Sequence, residues 1–466
     1  MTRLPPLEAP TSPLDEGLRR RLPGLSAALD EDRAAEQVQL LLAHGTNVTR
    51  VSVGKVWLRE DGTCTLRYDV RLAADADDGS HRPTVLGRVH PDDDAAVAYV
   101  VSRVLPVAMR SPQPATPLWR CRTLVVPGTG VALHPFPLDP ELPTLGSALD
   151  PPSVLRSLPG GHVLDIEVVH HPREGACVLR YDATSTNTPS TSLYGKVYGD
   201  DATGRAVWNR LCALRDAGDA GPHAAQSDVR LPLPVSYDSG LRLLLTEALP
   251  GSPRVSGLLA PAGEGAGAAL LDAVRDCGRA LVWIHQRQGI AAPRRRPTQE
   301  IAALRRELHA VAGVWPEWAD RVRRRLPLSL GELPESAEPV LSHGDFTPSQ
   351  VLLGEGTRGV TDLDGVCWAD PALDIGRFLA CLAMLTAKRP GTDTGTLLHQ
   401  LTAAFLDGYG DTPAIAALPG PHPARRVSLY RRVSLARSAL HACRQLKDDR
   451  FARAVSLLES EHGAYA

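Results

Sequence analysis

Residues 343–353 read His343-Gly-Asp345-Phe-Thr-Pro-Ser-Gln350-Val-Leu-Leu353, and Asp362-Leu-Asp364 and Asp370-Pro-Ala-Leu-Asp374 follow shortly after. This is the densest polar constellation in the chain. Two short apolar runs, Val351-Leu-Leu353 and Gly359-Val-Thr361, flank Gly354-Glu-Gly356, and that spacing predicts a hairpin. One acid therefore stands on the loop before the hairpin and another just behind it. Phosphoryl transfer asks for such a pair: a carboxylate facing the attacking hydroxyl, and oxygen donors that hold Mg²⁺ on nucleotide phosphates. On this reading Asp345 faces the acceptor hydroxyl, while Gln350 through its amide oxygen and Asp362 through its carboxylate hold the metal. The other reading makes Asp345 and Asp362 turn caps, which leaves two acids uncompensated beside apolar strands.

Upstream of this segment the chain repeats itself. Cys64-Thr-Leu-Arg-Tyr-Asp69 recurs as Cys177-Val-Leu-Arg-Tyr-Asp182, and Leu86-Gly-Arg-Val89 recurs as Leu193-Tyr-Gly-Lys-Val197. The stretch from Ala73 to His81 between the first pair of motifs is polar, and a loop of that kind changes length cheaply. Each copy predicts a strand, a turn, a strand ending in Gly-Arg/Lys-Val, an Asp-rich helix cap (Asp92 to Asp94; Asp200 and Asp201) and an amphipathic helix. Val131-Ala-Leu-His-Pro135 and Arg242-Leu-Leu-Leu-Thr246 correspond more loosely. We read a duplicated β-rich lobe, near residues 45–150 and again near 160–250. From Gly251 onward the period changes to helical, as in Leu270, Val274, Leu281 and Ile284, and in Ile301, Leu304, Leu308 and Val311. Helices resume at Ile375, with a break over Pro419 to Pro423.

The His-Gly-Asp loop, the later Asp362 and the Asp370-Pro-Ala-Leu-Asp374 helix start together resemble the aminoglycoside phosphotransferase and choline-kinase-like branch of the protein-kinase fold, over roughly residues 160–460. The resemblance implies an α+β, bilobal protein-kinase-like fold with a β-rich N-lobe and a helical C-lobe, to which the internal repeat adds a degenerate N-lobe-like copy at the amino terminus. The corresponding division is 1–150 for the extra copy, 151–250 for the N-lobe and 251–466 for the C-lobe. It also implies that Asp374 orders the catalytic loop from the next helix and that His343 supports the metal-loop backbone, both without reacting. Lys196 falls on the third strand of the second copy, where that fold places the lysine gripping the nucleotide α- and β-phosphates. It is one of only four lysines among 51 basic residues. The hinge stretch Leu243 to Gly251 would offer backbone at Glu247 and Leu249 to adenine, unless it is an ordinary strand exit.

This sequence departs from the family in three places. Gln350 stands where the family has Asn, which moves the amide oxygen outward and leaves a damaged metal site as the alternative. The helix Thr203 to Leu214 offers Lys196 no glutamate partner, so a solvent-facing edge lysine is the competing reading. The phosphate-covering loop His170 to Gly175 has a single glycine. In the first copy Arg88 matches Lys196 and no second His-Gly-Asp follows, so that lobe is expected to be non-catalytic and to cap the enzyme, hold substrate or form a homodimer contact. His285 is assigned no role.

The chain of 466 residues has 43% hydrophobic and 22% charged residues, which is the profile of a folded globular protein, and its net charge of −2 gives no reason to expect a nucleic-acid partner. The first residues carry no apolar run of signal-peptide length, Phe378 to Ala387 is too short to span a bilayer, and the 8 Cys form no Cys-x-x-Cys pair. A cytoplasmic protein without a membrane partner is expected. Between Pro253 and Glu300 the chain offers Glu264, Asp272, Asp276 and Glu300 against Arg254, Arg275, Arg279, Arg287, Arg294, Arg295 and Arg296. That balance is wrong for a polycation and suits a neutral, anionic or peptide acceptor. The expected activity is ATP- and Mg²⁺-dependent transfer of the γ-phosphoryl group to a hydroxyl of a small molecule. A peptide Ser/Thr kinase, a sugar kinase and a non-catalytic nucleotide-binding scaffold are the alternatives.

Overall fold

The computed structural model describes residues 16–73, 83–112, 118–157, 161–171, 175–185, 188–219, 228–259, 267–326, 338–389, 393–410, 418 and 422–460. Residues 74–81 of the Ala73–His81 loop, residues 172–174 of the His170–Gly175 loop, Glu264 and residues 419–421 of the proline break lie outside them.

Two antiparallel five-stranded sheets dominate the amino-terminal half. The first contains β1 (Val48–Leu58), β2 (Cys64–Leu72), β3 (Thr84–Val89), β4 (Leu124–Val126) and β5 (Val131–Pro135) in the order β1-β2-β3-β5-β4. The second contains β6 (Gly161–His170), β7 (Cys177–Ser185) and β8 (Thr188–Val197). After a short β9 (Val229–Arg230), β10 (Pro234–Asp238) and β11 (Leu243–Glu247) complete it in the order β6-β7-β8-β11-β10. The repeated motifs occupy the same register in both: Leu66 faces Gly87, and Leu179 faces Gly195.

The shared Leu-Arg-Tyr-Asp sequence has a physical reason at each position. Alternation puts Leu66 and Tyr68, like Leu179 and Tyr181, in the core. The Tyr68 hydroxyl donates to the Ala28 carbonyl at 2.8 Å, and the Tyr181 hydroxyl donates to the Ala148 carbonyl at 2.9 Å. Each ring lies across the glycine of the neighbouring strand: a Cβ on Gly87 would come within 2.9 Å of the Tyr68 ring, and one on Gly195 within 2.4 Å of Tyr181. Only glycine fits there. On the outer face Arg67 pairs with Asp69 at 3.2 Å, as Arg180 does with Asp182 at 3.2 Å. Asp92 and Asp200 both cap the following helix, through the Ala95 and Thr203 N–H groups at 2.8 Å each.

The helices Leu145–Ala148 and Pro151–Val154 pack on the second sheet with Cys177, Leu179 and Tyr181. A boundary drawn at residue 150 therefore falls between two helices of one packing unit. The corresponding cover of the first sheet is made by the helices between Glu16 and Gln39.

Beyond Gly251 the chain is mostly helical. Two small sheets interrupt the helices: β12 (Val340–Ser342) pairs with β15 (Cys367–Ala369), and β13 (Val351–Leu353) forms the expected hairpin with β14 (Arg358–Val360). β14 also pairs in parallel with β9, and Ser252 exchanges both backbone hydrogen bonds with Leu353. The hinge segment is thus stitched to the hairpin beneath it. The first sheet docks on the far side of the helical region: the Arg444 Nε donates to the Leu58 carbonyl at 2.8 Å and its guanidinium lies 4.1 Å from the centre of the Trp57 ring. Among the described residues no helix is long and apolar enough to cross a membrane.

Candidate active site

In the carboxy-terminal half His343, Asp362 and Asp370 sit just past strand ends, Gln350 lies just before β13, and Asp374 stands in the first turn of a helix. β12 delivers His343, the hairpin delivers Asp362, and β15 leads to Asp370, whose carboxylate accepts from the Ala372 N–H at 3.0 Å to start the helix Ala372–Thr386. Strand ends leave the next residues outside the ladder, where side chains reach a cleft while a rigid frame holds their backbone.

Asp374 is fully buried and organises the loop. Its two oxygens accept from the His343 N–H at 2.7 Å and the Gly344 N–H at 2.9 Å. Nε2 of His285 lies 3.2 Å from the same carboxylate, and Nδ1 of His285 lies 2.7 Å from the Tyr409 hydroxyl. Burial pushes the Asp374 carboxyl up, but His285 and His343 together hold it below the usual carboxylate range. His343 donates through Nε2 to the Thr361 carbonyl at 2.9 Å, while its Nδ1 accepts the Asp345 N–H at 3.3 Å. One imidazole thereby fixes the backbone on both sides of the cleft. His285 and Tyr409 were not visible as site residues in the sequence, because neither belongs to a spaced motif and both arrive from other helices.

Lys196 crosses from the second sheet to the loop below. Its ammonium lies 2.7 Å from Asp362 and 3.0 Å from Asp364. Burial disfavours the charged ammonium, yet Asp364 and Asp362 outweigh it and raise Lys196 above the ordinary lysine value. Burial also acts against the Asp362 carboxylate, and Lys196 overcomes it to hold the group low. The partner that the helix Thr203 to Leu214 lacks is thus supplied by the Asp362–Asp364 segment after β14. Tyr198 donates to Asp364 at 3.3 Å, and Arg210, on the helix Asp201–Asp219, donates to the Asp364 carbonyl at 2.8 Å. Asp362 itself has a left-handed backbone, with φ of 61°, which is uncommon outside glycine and marks a conformation imposed by its surroundings.

Gln350 sits next to Asp362, with its amide nitrogen 3.3 Å from the carboxylate. Its amide oxygen accepts the Thr347 N–H at 2.8 Å. The oxygen expected to ligate the metal is therefore engaged with backbone, and ligation requires the amide to turn over. Asp345 carries an ion pair with Arg377, one turn along the helix from Asp374. Burial pushes the Asp345 carboxyl above its ordinary value, against the opposing pull of Arg377 and His343. At the hinge, the Glu247 N–H is spent on the Leu233 carbonyl at 3.0 Å, and Leu249 packs over Gly359 of the hairpin.

A lysine from a sheet, two carboxylates and an amide on the strap below it, and a separate aspartate on a histidine-braced loop form the kind of cleft that handles phosphates. Residues 213–419, which contain the hinge strand, the His343 loop, Asp362 and Asp374, match the phosphotransferase enzyme family. Solved structures similar to this chain include a macrolide 2′-phosphotransferase from Brachybacterium faecium (20% identity, covering 63% of this chain and 91% of that one, TM-score 0.39). They also include a choline kinase from Streptococcus pneumoniae (16% identity, 64% and 94%, TM-score 0.42). A choline/ethanolamine kinase family protein from Mesorhizobium loti is similar as well (16% identity, 69% and 96%, TM-score 0.41). No curated protein sequence matches the chain.

Proposed function

We propose that the protein is an ATP- and Mg²⁺-dependent phosphotransferase with a protein-kinase-like fold, moving the γ-phosphoryl group of ATP to a hydroxyl of a small molecule. The observation that carries this reading is the meeting of Lys196 with Asp362 and Asp364, across 166 residues of chain, beside the loop that holds Asp345. Two carboxylates against one ammonium leave a surplus negative charge beside a neutral amide, and that oxygen-rich donor set suits a hard divalent cation. Asp362 and Gln350 would hold Mg²⁺, which when bound neutralises charge on the nucleotide phosphates. Lys196 would then turn to the α- and β-phosphates, and the Glu247 and Leu249 backbone would meet the base.

Asp345 orients the acceptor hydroxyl and takes its proton as the oxygen forms a bond to the γ-phosphorus. The bond from that phosphorus to the β–γ bridging oxygen breaks, and ADP leaves. The first sheet, equal to the second in strand order and register but lacking a His-Gly-Asp partner, is a non-catalytic copy of the N-lobe. A nucleotide-binding scaffold without turnover is the second reading, favoured by the engagement of the Gln350 oxygen with Thr347. The test is product mass after incubation with Mg·ATP and a panel of alcohols, for the wild-type chain and for Gln350→Asn. A phosphorylated product supports the enzyme, and nucleotide binding with no product in either chain supports the scaffold.

A further inference from the structure

The helix that follows β3 is apolar on two faces. It runs as Asp93–Tyr99, a π turn at Val100–Val104 and Leu105–Arg110. Its inner face packs Ala96, Val100 and Val104 with Ala132 of β5. On its outer face Val97 is 48% exposed, Val101 58%, Leu105 38% and Met109 86%. A surface helix turns polar and charged side chains to solvent, and a continuous apolar stripe of roughly 18 Å marks a face that is covered by something.

The duplication shows that the lobe itself does not require this stripe. The copies correspond without a gap from Gly87 and Gly195 to the caps Asp92 and Asp200, so Val97 and Val101 stand where the helix Asp201–Asp219 has Arg205 and Asn209. All four positions are exposed, and only the first copy makes them apolar. The backbone is adapted to the stripe as well. In a regular α-helix each four-residue step turns about 40° beyond a full circle, so Val97, Val101, Leu105 and Met109 would wind away from one face. In the π turn the Leu105 N–H donates to the Val100 carbonyl, five residues back, and this wider turn holds the four side chains closer to one line.

Charge at the two ends says what the stripe meets. Asp94 and Arg110 are exposed, and neither has an ion pair among the described residues. They lie on the same flank: Asp94 stands about 60° round the helix from Val97, and Arg110 about 100° round from Met109 in the same sense. A second copy of the helix turned end for end about a two-fold axis sets Val97 against Met109 and Val101 against Leu105, and brings Asp94 of each copy to Arg110 of the other. Parallel pairing would set like charges together. The pattern is complementary to its own reverse, which favours another copy of this chain over an unrelated partner. We propose that the protein forms a two-fold dimer through this helix of its first lobe, the two helices antiparallel, with the apolar stripe at the centre and an Asp94–Arg110 pair at each end. One helix pair lies at the small end of interface sizes, so the association is reversible. It stands apart from the phosphotransfer reading and needs none of the residues of the cleft.

The experiment is sedimentation velocity on the full chain at low salt, over about 1 to 200 µM, where a reversible dimer shifts with concentration. The wild type should pass from monomer to dimer across that range. Val101→Glu places a charge at the centre of the interface and should raise the dimer Kd at least ~tenfold. Asp94→Arg and Arg110→Asp each set like charges together twice per dimer and should each raise it about fivefold, while the double variant Asp94→Arg/Arg110→Asp should return it to the wild-type value. All these positions are exposed in the single chain, and an unchanged melting temperature at the lowest concentration shows that each variant is folded. A wild type that stays monomeric overturns the inference, whether the stripe is then covered by another part of the chain, a different protein or nothing. A dimer untouched by Val101→Glu uses another surface and overturns it too. Failure of the double variant to recover what the single ones lose overturns the antiparallel pairing on which the inference rests.

Discussion

Asp345 feels burial and Asp362 pushing its carboxyl up, and Arg377 and His343 pulling it down, and the upward influences win. A base must be deprotonated to act, so kcat/KM should fall as pH drops through a value above the ordinary 3.8 of this group. Arg377→Gln removes a downward influence and should move that acid limb to higher pH, as read from a pH–rate profile. Asp345→Asn should lower kcat at least ~100-fold, about 2.7 kcal/mol, with nucleotide affinity little changed in a binding titration. Asp345, Asp362, His343 and Asp374 were legible in the sequence because their spacing is fixed by one short loop, one hairpin and one helix start. Arg377 was not, since an arginine three residues after Asp374 looks like any exposed helix position until the loop is folded against it. The Gln350 amide was half legible: its place beside Asp362 follows from spacing, but its orientation is set by the Thr347 N–H.

Elements brace the site through contacts that no local pattern announces. The helices Ala268–His285 and Thr394–Tyr409 bring His285 and Tyr409 to Asp374, a chain of hydrogen bonds ending in the His343 and Gly344 amides. His285→Ala removes the donor to a buried carboxylate and should destabilise the protein by about 1.5–3 kcal/mol in denaturant unfolding at neutral pH. Because Asp374 titrates low in the folded chain, its stabilisation is present above the unfolded carboxylate value and is lost as pH falls through the folded one. His285→Ala raises that folded value, so the acid-unfolding midpoint should move to higher pH. The repeated strands were readable because each conserved its own packing constraint between copies. Gly195→Ala should cost about 1–3 kcal/mol by overpacking against Tyr181, and Gly87→Ala less, since the Tyr68 ring stands further off. The helices over each sheet were not assigned to their lobes, because a short amphipathic helix does not say which of two apolar faces it will cover.

At the scale of the whole molecule, the two sheets share a strand order but not a fate. Lys196 looks across at Asp362 and Asp364, whereas Arg88 bonds the Thr63 hydroxyl at 3.0 Å and pairs with Asp61 within its own lobe. A titration calorimeter should therefore count one nucleotide per chain, with Lys196→Ala weakening it by about 1–3 kcal/mol and Arg88→Ala leaving it unchanged.

The clasp between Arg444 and the Trp57–Leu58 end of β1 joins residues 386 positions apart. During synthesis at roughly 5–20 residues per second, the first sheet emerges from the ribosome tens of seconds before the helix it docks on. Its Trp57 edge must wait, uncovered, until a helix 386 residues downstream has been made. Translation order thus makes a late-made helix the one that completes an early-made sheet.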